Sequence, residues 1–451
     1  MESYKSIKDL PTAWLSDVEV SVVGNGNDHP GPRKSGNTVY VYMGTVYQLY
    51  NFSKKNSLQV DLLVVDEAGQ ISLGSISLVL RSLSYEGRIV VAGDSEQLAP
   101  ILSAQYPLLK AHSLFGSVLD CLMFPRARPL SARPPSPSFD ESQGIVPTAS
   151  PGTIVQLTEN FRLNPDLSEF VSTIYSRKFK PQKAQAGELG AALSTVSHLR
   201  ASDMGLNPEV FGKVQKFLGA LSGVMKDRKS TPQSGLIAPE VQLPMTIASP
   251  RPGSPTSDLD PISLALIRLR TFPFNISYES HVQAEAAVAA ALVASLRKCA
   301  PNDDIFVATP HRIQREAVKA ALRVTTNPVE GLEDTFGKLR VGEQNKDSKE
   351  KVTVDTIERL QGSEASFVIC LFSVPKSYSI DLAFLLERRR LNVAISRAKA
   401  LCILISSDEV LCPSVKVLAN EETAKGYAFL KAFQKRAWSF YLQLNADKVA
   451  L

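Results

Sequence analysis

Seven short runs rich in Val, Ile and Leu constrain this chain more than any other feature. They are Thr38–Met43, Val60–Val65, Arg88–Ala92, Ile305–Ala308, Val352–Asp355, Phe367–Phe372 and Ala400–Ile405. Such runs suit strands covered on both faces, and their alternation with helical patterns is the mark of parallel α/β units. The spacing predicts a helix over His311–Arg323, where Ile313, Ala317 and Ala321 recur every four residues. The alanine-rich stretch Ala284–Leu296 contains Glu285 and ends at Arg297-Lys298, so it reads as a soluble helix. Phe429, Phe433, Ala437 and Phe440 also have helical spacing and predict a last helix packed on the preceding domain.

A chain of 451 residues suggests about two to three domains. Two stretches, Arg126–Pro151 and Asp227–Asp260, are crowded with Pro and Ser and read as loops or linkers, and Gly331–Lys351 is a third polar excursion. The expected division is a first domain over 1–130, a linker over 131–152 and a second domain over 153–451, with an insert at about 227–260. Apolar residues at 44% and charged residues at 21% exclude a wholly disordered chain, while a net charge of +5 is too mild to imply a nucleic-acid partner by itself. Cys121, Cys299, Cys370, Cys402 and Cys412 form no CxxC pair and offer no metal set; Cys370 and Cys402 read as core thiols of a reducing compartment. No signal peptide opens the chain and no run approaches the ~18 to 20 apolar residues of a membrane span. A soluble, intracellular protein of nucleus or cytoplasm is expected, with no membrane partner.

The chemistry starts at Asp66-Glu67-Ala68-Gly69-Gln70, an acidic pair at the end of a buried strand, where open α/β sheets bind ligands. Nucleotide hydrolysis needs one carboxylate for hydrated Mg²⁺ and another to orient or deprotonate water; Asp66 suits the first task and Glu67 the second. Alone, the pair could equally end a strand or cap a helix. The next strand ends in Gly93-Asp94-Ser95-Glu96-Gln97-Leu98-Ala99-Pro100, where Gly93 permits a tight exit and Gln97 offers an amide to a phosphate oxygen and a water.

Together these two segments resemble motifs II and III of the superfamily 1 helicases. Further matches follow in the family's order: Leu157–Pro165 with Arg162, Ala308–Gln314, Val354–Glu364, and Arg390–Lys399. Upstream, Met43–Tyr50 resembles a strand and loop that touch nucleic acid. The branch most similar is that of the RNA-surveillance and Okazaki-fragment helicases, superfamily 1B. The resemblance implies two RecA-like P-loop NTPase domains facing one cleft, the first incomplete at its N-terminus, and ATP-dependent movement on single-stranded RNA or DNA by a monomer. It assigns Glu67, Gln97, Arg162 and Arg397 to catalysis, the two arginines at the γ-phosphate. Asp66 would hold Mg²⁺, and Gln361, Gly362, Glu364 and Arg390 would join it around ATP. Thr45, Thr309, Pro310, His311, Arg312 and Thr356 would contact the strand. Beside these stand plainer readings: Arg162 could pair with Glu159 or Glu169, and each threonine could simply end a strand. In the helix expected near Arg390, Leu391, Ile395 and Ala398 share one face, with Arg390 and Arg397 two turns apart on another.

The family's phosphate loop, GxxxxGK(S/T), cradles phosphates with backbone amides and a lysine. No such string occurs here. The decoy Gly26–Ser35, following a candidate strand at Val18–Val23, loses two amides to Pro30 and Pro32 and reads as a polar turn. A truncated reading frame, a fragment and a degenerate paralogue would all give this sequence. The function expected is therefore an ATP-dependent helicase core lacking its phosphate loop, and the rival is an inactive nucleic-acid-binding or regulatory paralogue.

Overall fold

A computed structural model describes residues 40–100, 116–123, 154–175, 177–183, 189–226, 262–273, 275–326, 351–376 and 382–449. The chain divides into two compact units, Met1–Thr153 and Ile154–Leu451. The stretches Arg126–Pro151 and Asp227–Asp260, the candidate strand Val18–Val23 and its decoy loop lie outside the described residues, as does nearly all of Gly331–Lys351.

In the first unit, β1 (Val60–Val65) and β2 (Leu83–Val91) pair in parallel, with Leu63 opposite Ile89 and Val65 opposite Val91. Helices Val46–Asn56, Leu73–Leu80 and Val118–Met123 accompany them. Val65, Ala68, Ile76, Val79 and Val118 form a small core. The expectation of strands covered on both faces is met on one side only: Leu62 and Val64 are 54% and 59% exposed. Of the strand expected at Thr38–Met43, the described part, Tyr40–Met43, has no regular structure. Thr45 instead caps the following helix: its hydroxyl accepts from the Gln48 amide, and the Gln48 side chain accepts from the Thr45 amide. That reciprocal box satisfies two otherwise orphaned donors and sets where the helix begins.

The second unit is built on six parallel strands. They are β5 (Leu264–Phe272), β6 (Ile305–Thr309), β7 (Val352–Thr356), β8 (Ala365–Phe372), β9 (Ala398–Ser406) and β10 (Trp438–Asn445), and they lie in the order β10-β5-β9-β8-β6-β7. A separate parallel pair, β3 (Glu159–Asn160) and β4 (Lys180–Pro181), precedes them. β6 is buried throughout and β8 almost so, which accounts for their unbroken apolar sequences. Helix Tyr278–Cys299 packs Val288, Ala289 and Leu292 into the main core with Ile267, Val307, Ile369 and Ile403. The fold is thus α/β with parallel sheets, as the sequence predicts.

Besides the short pair β3–β4, two strands of the six-stranded sheet escape the sequence reading. β5 carries Arg268 and Arg270, which break its apolar run; Arg268 Nη1 donates to the Tyr441 hydroxyl (2.6 Å) and Arg270 pairs with Asp408 (2.7 Å). β10 was expected as the end of a helix. Helix Glu421–Arg436 contains Phe429 and Phe433, but Phe440 lies on the strand, where Phe440, Leu442 and Leu444 alternate inward. Phe429 and Phe433 meet Phe170 of helix Pro165–Val171 at centroid distances of 4.7 and 5.4 Å.

Candidate functional site

In the first unit, the two motif segments lie side by side because β1 and β2 are neighbours. Ala68 N donates to Ala92 O, and Ala92 N to Val65 O. A Cβ on Gly69 would stand 2.8 Å from the Asp94 carbonyl, and one on Gly93 3.0 Å from the Ala68 amide, so both positions need glycine for this backbone approach. Glu67 adopts a left-handed φ of 51°, a costly conformation for a side-chain-bearing residue that recurs at functional turns. The Glu67 amide donates to Asp66 Oδ1 at 2.9 Å, and Gln70 Nε2 to Glu67 Oε2 at 3.0 Å. Gln97 donates to Asp94 Oδ2 at 2.9 Å. Asp66, Glu67 and Gln97 are therefore gathered on adjoining turns, with Asp66 exposed. Among the described residues no group of three His, Cys, Asp or Glu side chains is placed to hold a metal unaided. A single exposed carboxylate suits a cation that keeps most of its waters and takes further ligands from phosphates, as Mg²⁺ does. The residues fit Mg²⁺ arriving with a nucleotide.

The second unit has two clusters, at opposite ends of its sheet. At the amino ends of β8 and β9, Glu364 receives Arg162 Nε at 2.7 Å and Lys399 Nζ at 2.6 Å. Arg162 thus pairs with neither Glu159 nor Glu169; the latter faces Arg436. Burial pushes the Glu364 carboxyl up, but the bonds and charges of Lys399 and Arg162 outweigh it and hold the group below the usual range. Arg162 is aimed by a chain of caps. Asn160 accepts from the amides of Arg162 and Leu163, and Asn164 caps Pro165–Val171 while donating to Ser263 (2.7 Å) and the Ala400 carbonyl (3.1 Å). Lys399 was missed because it reads as one more charge at the start of a strand. Gly362 turns the chain toward Glu364 with a left-handed φ of 82°, next to Gln361.

At the carboxyl ends of β6 and β7 stand Thr309, Pro310, His311, Arg312 and Thr356. Thr309 is fully buried and donates its hydroxyl to the Asp355 carbonyl at 3.2 Å, so that hydroxyl serves the sheet. Arg312 is exposed and His311 half-buried. Asp355 pairs with Arg315 (3.0 Å) and accepts from the Thr356 amide (2.8 Å). Burial acts to raise the Asp355 carboxyl, yet Arg315 and that amide hold it lowered.

Two arginines differ from expectation. Helix Arg388–Ile395 ends before Arg397, and Ala398 already belongs to β9, so the expected shared face does not extend to either. Arg397 is almost fully buried and donates to the carbonyls of Val393 (3.1 Å) and Ser363 (3.2 Å) and to Ser396 Oγ. Arg390 is also buried; it pairs with Glu358 (3.3 Å) and Glu387 (2.5 Å) and donates to the Phe384 carbonyl (2.8 Å). Nothing local in the sequence distinguishes such inward arginines from solvent-facing ones.

Residues 275–409 match a family model described as an AAA domain. A stretch is 31% identical over 109 residues to a regulator of nonsense transcripts 1 homolog of Neurospora crassa. These matches support the resemblance of this stretch to the C-terminal part of a superfamily 1 helicase core. That match covers 24% of this chain and 8% of the Neurospora protein. Another, 36% identical over 69 residues, is to the RecBCD enzyme subunit RecD of Buchnera aphidicola and covers 13% of this chain and 12% of that protein. The matched part spans about a tenth of those relatives' lengths. Among solved structures, the C-terminal domain of a possible DNA helicase from Lactobacillus plantarum is 16% identical, with a TM-score of 0.21 over 32% of this chain and 73% of its own. The PRRSV helicase is 11% identical, with a TM-score of 0.25 over 76% and 34%. The fold is α/β, and no helix among the described residues is long and apolar enough to cross a membrane.

Proposed function

We propose that this chain binds single-stranded RNA or DNA as part of an ATP-dependent helicase or translocase. The observation that carries the reading is the second unit's pair of clusters, one at each end of a single rigid sheet. The basic loop at Thr309–Arg312, with Thr356 beside it, suits a strand's sugar–phosphate backbone. Arg162 and Lys399, gathered on Glu364, suit a phosphate chain and a ribose, because guanidinium and ammonium stay charged and the carboxylate accepts hydroxyl donors. In the first unit Asp66 would meet Mg²⁺ and Glu67 would orient or deprotonate water, with Gln97 close by. Bound Mg²⁺–ATP would supply the electrophilic phosphorus; the chain's own side chains would bind, orient and take the proton from water. The name of the Neurospora relative favours transcripts, and both RNA and DNA strands enter the test.

The absence of GxxxxGK(S/T) from the 451 residues favours strand binding without turnover for the chain as it stands. The test is titration of labelled single strands together with ATP hydrolysis, using Glu67→Gln as control. Strand binding that weakens steeply with salt, and hydrolysis at background level, is the expected result. Strand-stimulated hydrolysis abolished by Glu67→Gln would replace this with a working motor. No strand affinity at low salt would overturn the reading altogether.

A further inference from the structure

Two crossover segments of the second unit run from the carboxyl-end cluster to the amino-end cluster. One leaves β7 at Thr356 and enters β8 after Glu364; the other runs from Phe384 through helix Arg388–Ile395 into β9 at Ala398. At the amino end the two are laced by Ala365 N donating to Arg397 O at 3.0 Å and by Arg397 Nη1 donating to Ser363 O at 3.2 Å. At the other end the joint is made by one aromatic ring and one guanidinium. The Phe384 ring stacks on His311, with centroids 4.9 Å apart and planes 21° from parallel. The Arg390 guanidinium lies over the same ring, 3.6 Å from its centroid. Arg390 also reaches Glu358, two residues beyond Thr356 on the first crossover. A cation over a ring gains strength as it is desolvated, and Arg390 is buried.

We propose that Phe384 and Arg390 are positioning residues that lock the His311 loop and the start of the Thr356 crossover to the helix leading into Arg397. Arg390 would then act through protein contacts and not as a nucleotide ligand, because its donors already face Glu358, Glu387 and the Phe384 carbonyl. The lock makes one body of the strand-facing loop and the helix that ends at the Arg162–Glu364–Lys399 cluster. A shift at either end of the sheet is carried to the other through packed, two-ended segments. Its consequence for strand affinity rests on the proposed function; the lock itself does not.

The test has two arms, both on the full chain. In the first, hydrogen exchange is followed in Phe384→Leu, which keeps apolar volume but removes the stacked ring, and in Arg390→Lys, which keeps charge but removes the planar group. Amides of residues 309–314 and 388–395 are expected to exchange faster together, with the rest of the sheet unchanged. In the second, oligouridylate and oligothymidylate binding is titrated against salt. Phe384→Leu is expected to weaken binding about tenfold, within the usual span of coupling between sites. Its salt slope should match the parent's, whereas Arg312→Ala should lose about 0.7 of slope, as removal of one phosphate contact does. Phe384→Tyr should restore affinity. Unchanged exchange in both segments, acceleration spread over the whole unit, or no rescue by tyrosine would overturn the inference. Absence of strand binding by the parent chain would overturn the functional reading, and the exchange arm would still decide the lock.

Discussion

Glu285 sits in an environment far from the ordinary one of a carboxylate. It is fully buried on helix Tyr278–Cys299, accepting from Ser373 Oγ at 2.6 Å and Gln314 Nε2 at 2.7 Å. His281, one turn away, is held between Ser373 (2.8 Å) and Thr271 (3.0 Å). Gln314 passes the network on to the His311 amide, which donates to its Oε1 at 3.2 Å. Burial raises the Glu285 carboxyl from 4.5 to about 7 against the pull of its donors, and burial lowers His281 from 6.5 to about 4. The folded state therefore holds a proton on Glu285 that the unfolded chain releases. Its contribution is complete below pH 4.5 and is lost as the pH climbs through about 7. His281 works in the opposite sense: its contribution is complete above pH 6.5 and is lost as the pH falls toward 4. Between pH 4.5 and 6.5 the two changes largely cancel. Between pH 6.5 and 8 the last part of the Glu285 loss remains, on the order of 1 kcal/mol of a total of about 3. Urea midpoints should fall over that interval, and Glu285→Gln should flatten the fall; an equally steep decline in the variant would refute this account.

At the scale of elements, positions are fixed by close backbone contacts and caps. A Cβ on Gly426 would lie 1.5 Å from the Leu386 carbonyl, so helix Glu421–Arg436 can approach the segment leading into Arg388–Ile395 only through glycine. Gly426→Ala should cost at least about 1–3 kcal/mol through overpacking. The melting temperature would show the loss, and an unshifted melt would mean that the helices separate freely. Asn164 does three jobs from one buried amide: it caps Pro165–Val171 and ties it to Ser263 and Ala400. Asn164→Ala should lower stability by about 2 kcal/mol, from a lost cap and unsatisfied buried partners. It should also loosen Arg162, two residues upstream. Chemical denaturation measures the first effect and protection of the Arg162 amide from exchange the second.

For the molecule as a whole, the two units differ in how their sheets are covered. The second unit buries the inner strands β6, β8 and β9 almost throughout, while Leu62, Val64, Ile89 and Val90 of the first are exposed apolar strand residues. Contiguous apolar strand surface promotes association. The double substitution Leu62→Gln, Val64→Thr should reduce light scattering of concentrated protein while changing stability by less than about 0.5 kcal/mol, as exposed positions usually allow. Unchanged scattering would show that this face does not drive association.

The sequence by itself determined the class of fold, since continuous apolar runs separated by helical periods can be satisfied by parallel sheets and little else. It also determined where the motif segments fall, because Asp66-Glu67, Gln97, Arg162 and Glu364 are defined by residue type and order along the chain. Local patterning misled where two periods share residues: Phe433 and Phe440 fit one helix on paper, and only the sheet edge made Phe440 a strand residue. It was silent on direction. Whether Arg390 and Arg397 turn outward to a ligand or inward to Glu358, Val393 O and Ser363 O depends on contacts between segments tens of residues apart. The tertiary structure alone decided that Lys399 joins Arg162 on Glu364, and that a phenylalanine absent from every motif links His311 to Arg390. Periodicity reports which face of an element is buried; the identity of the partner on that face is a long-range property, set when the chain closes on itself.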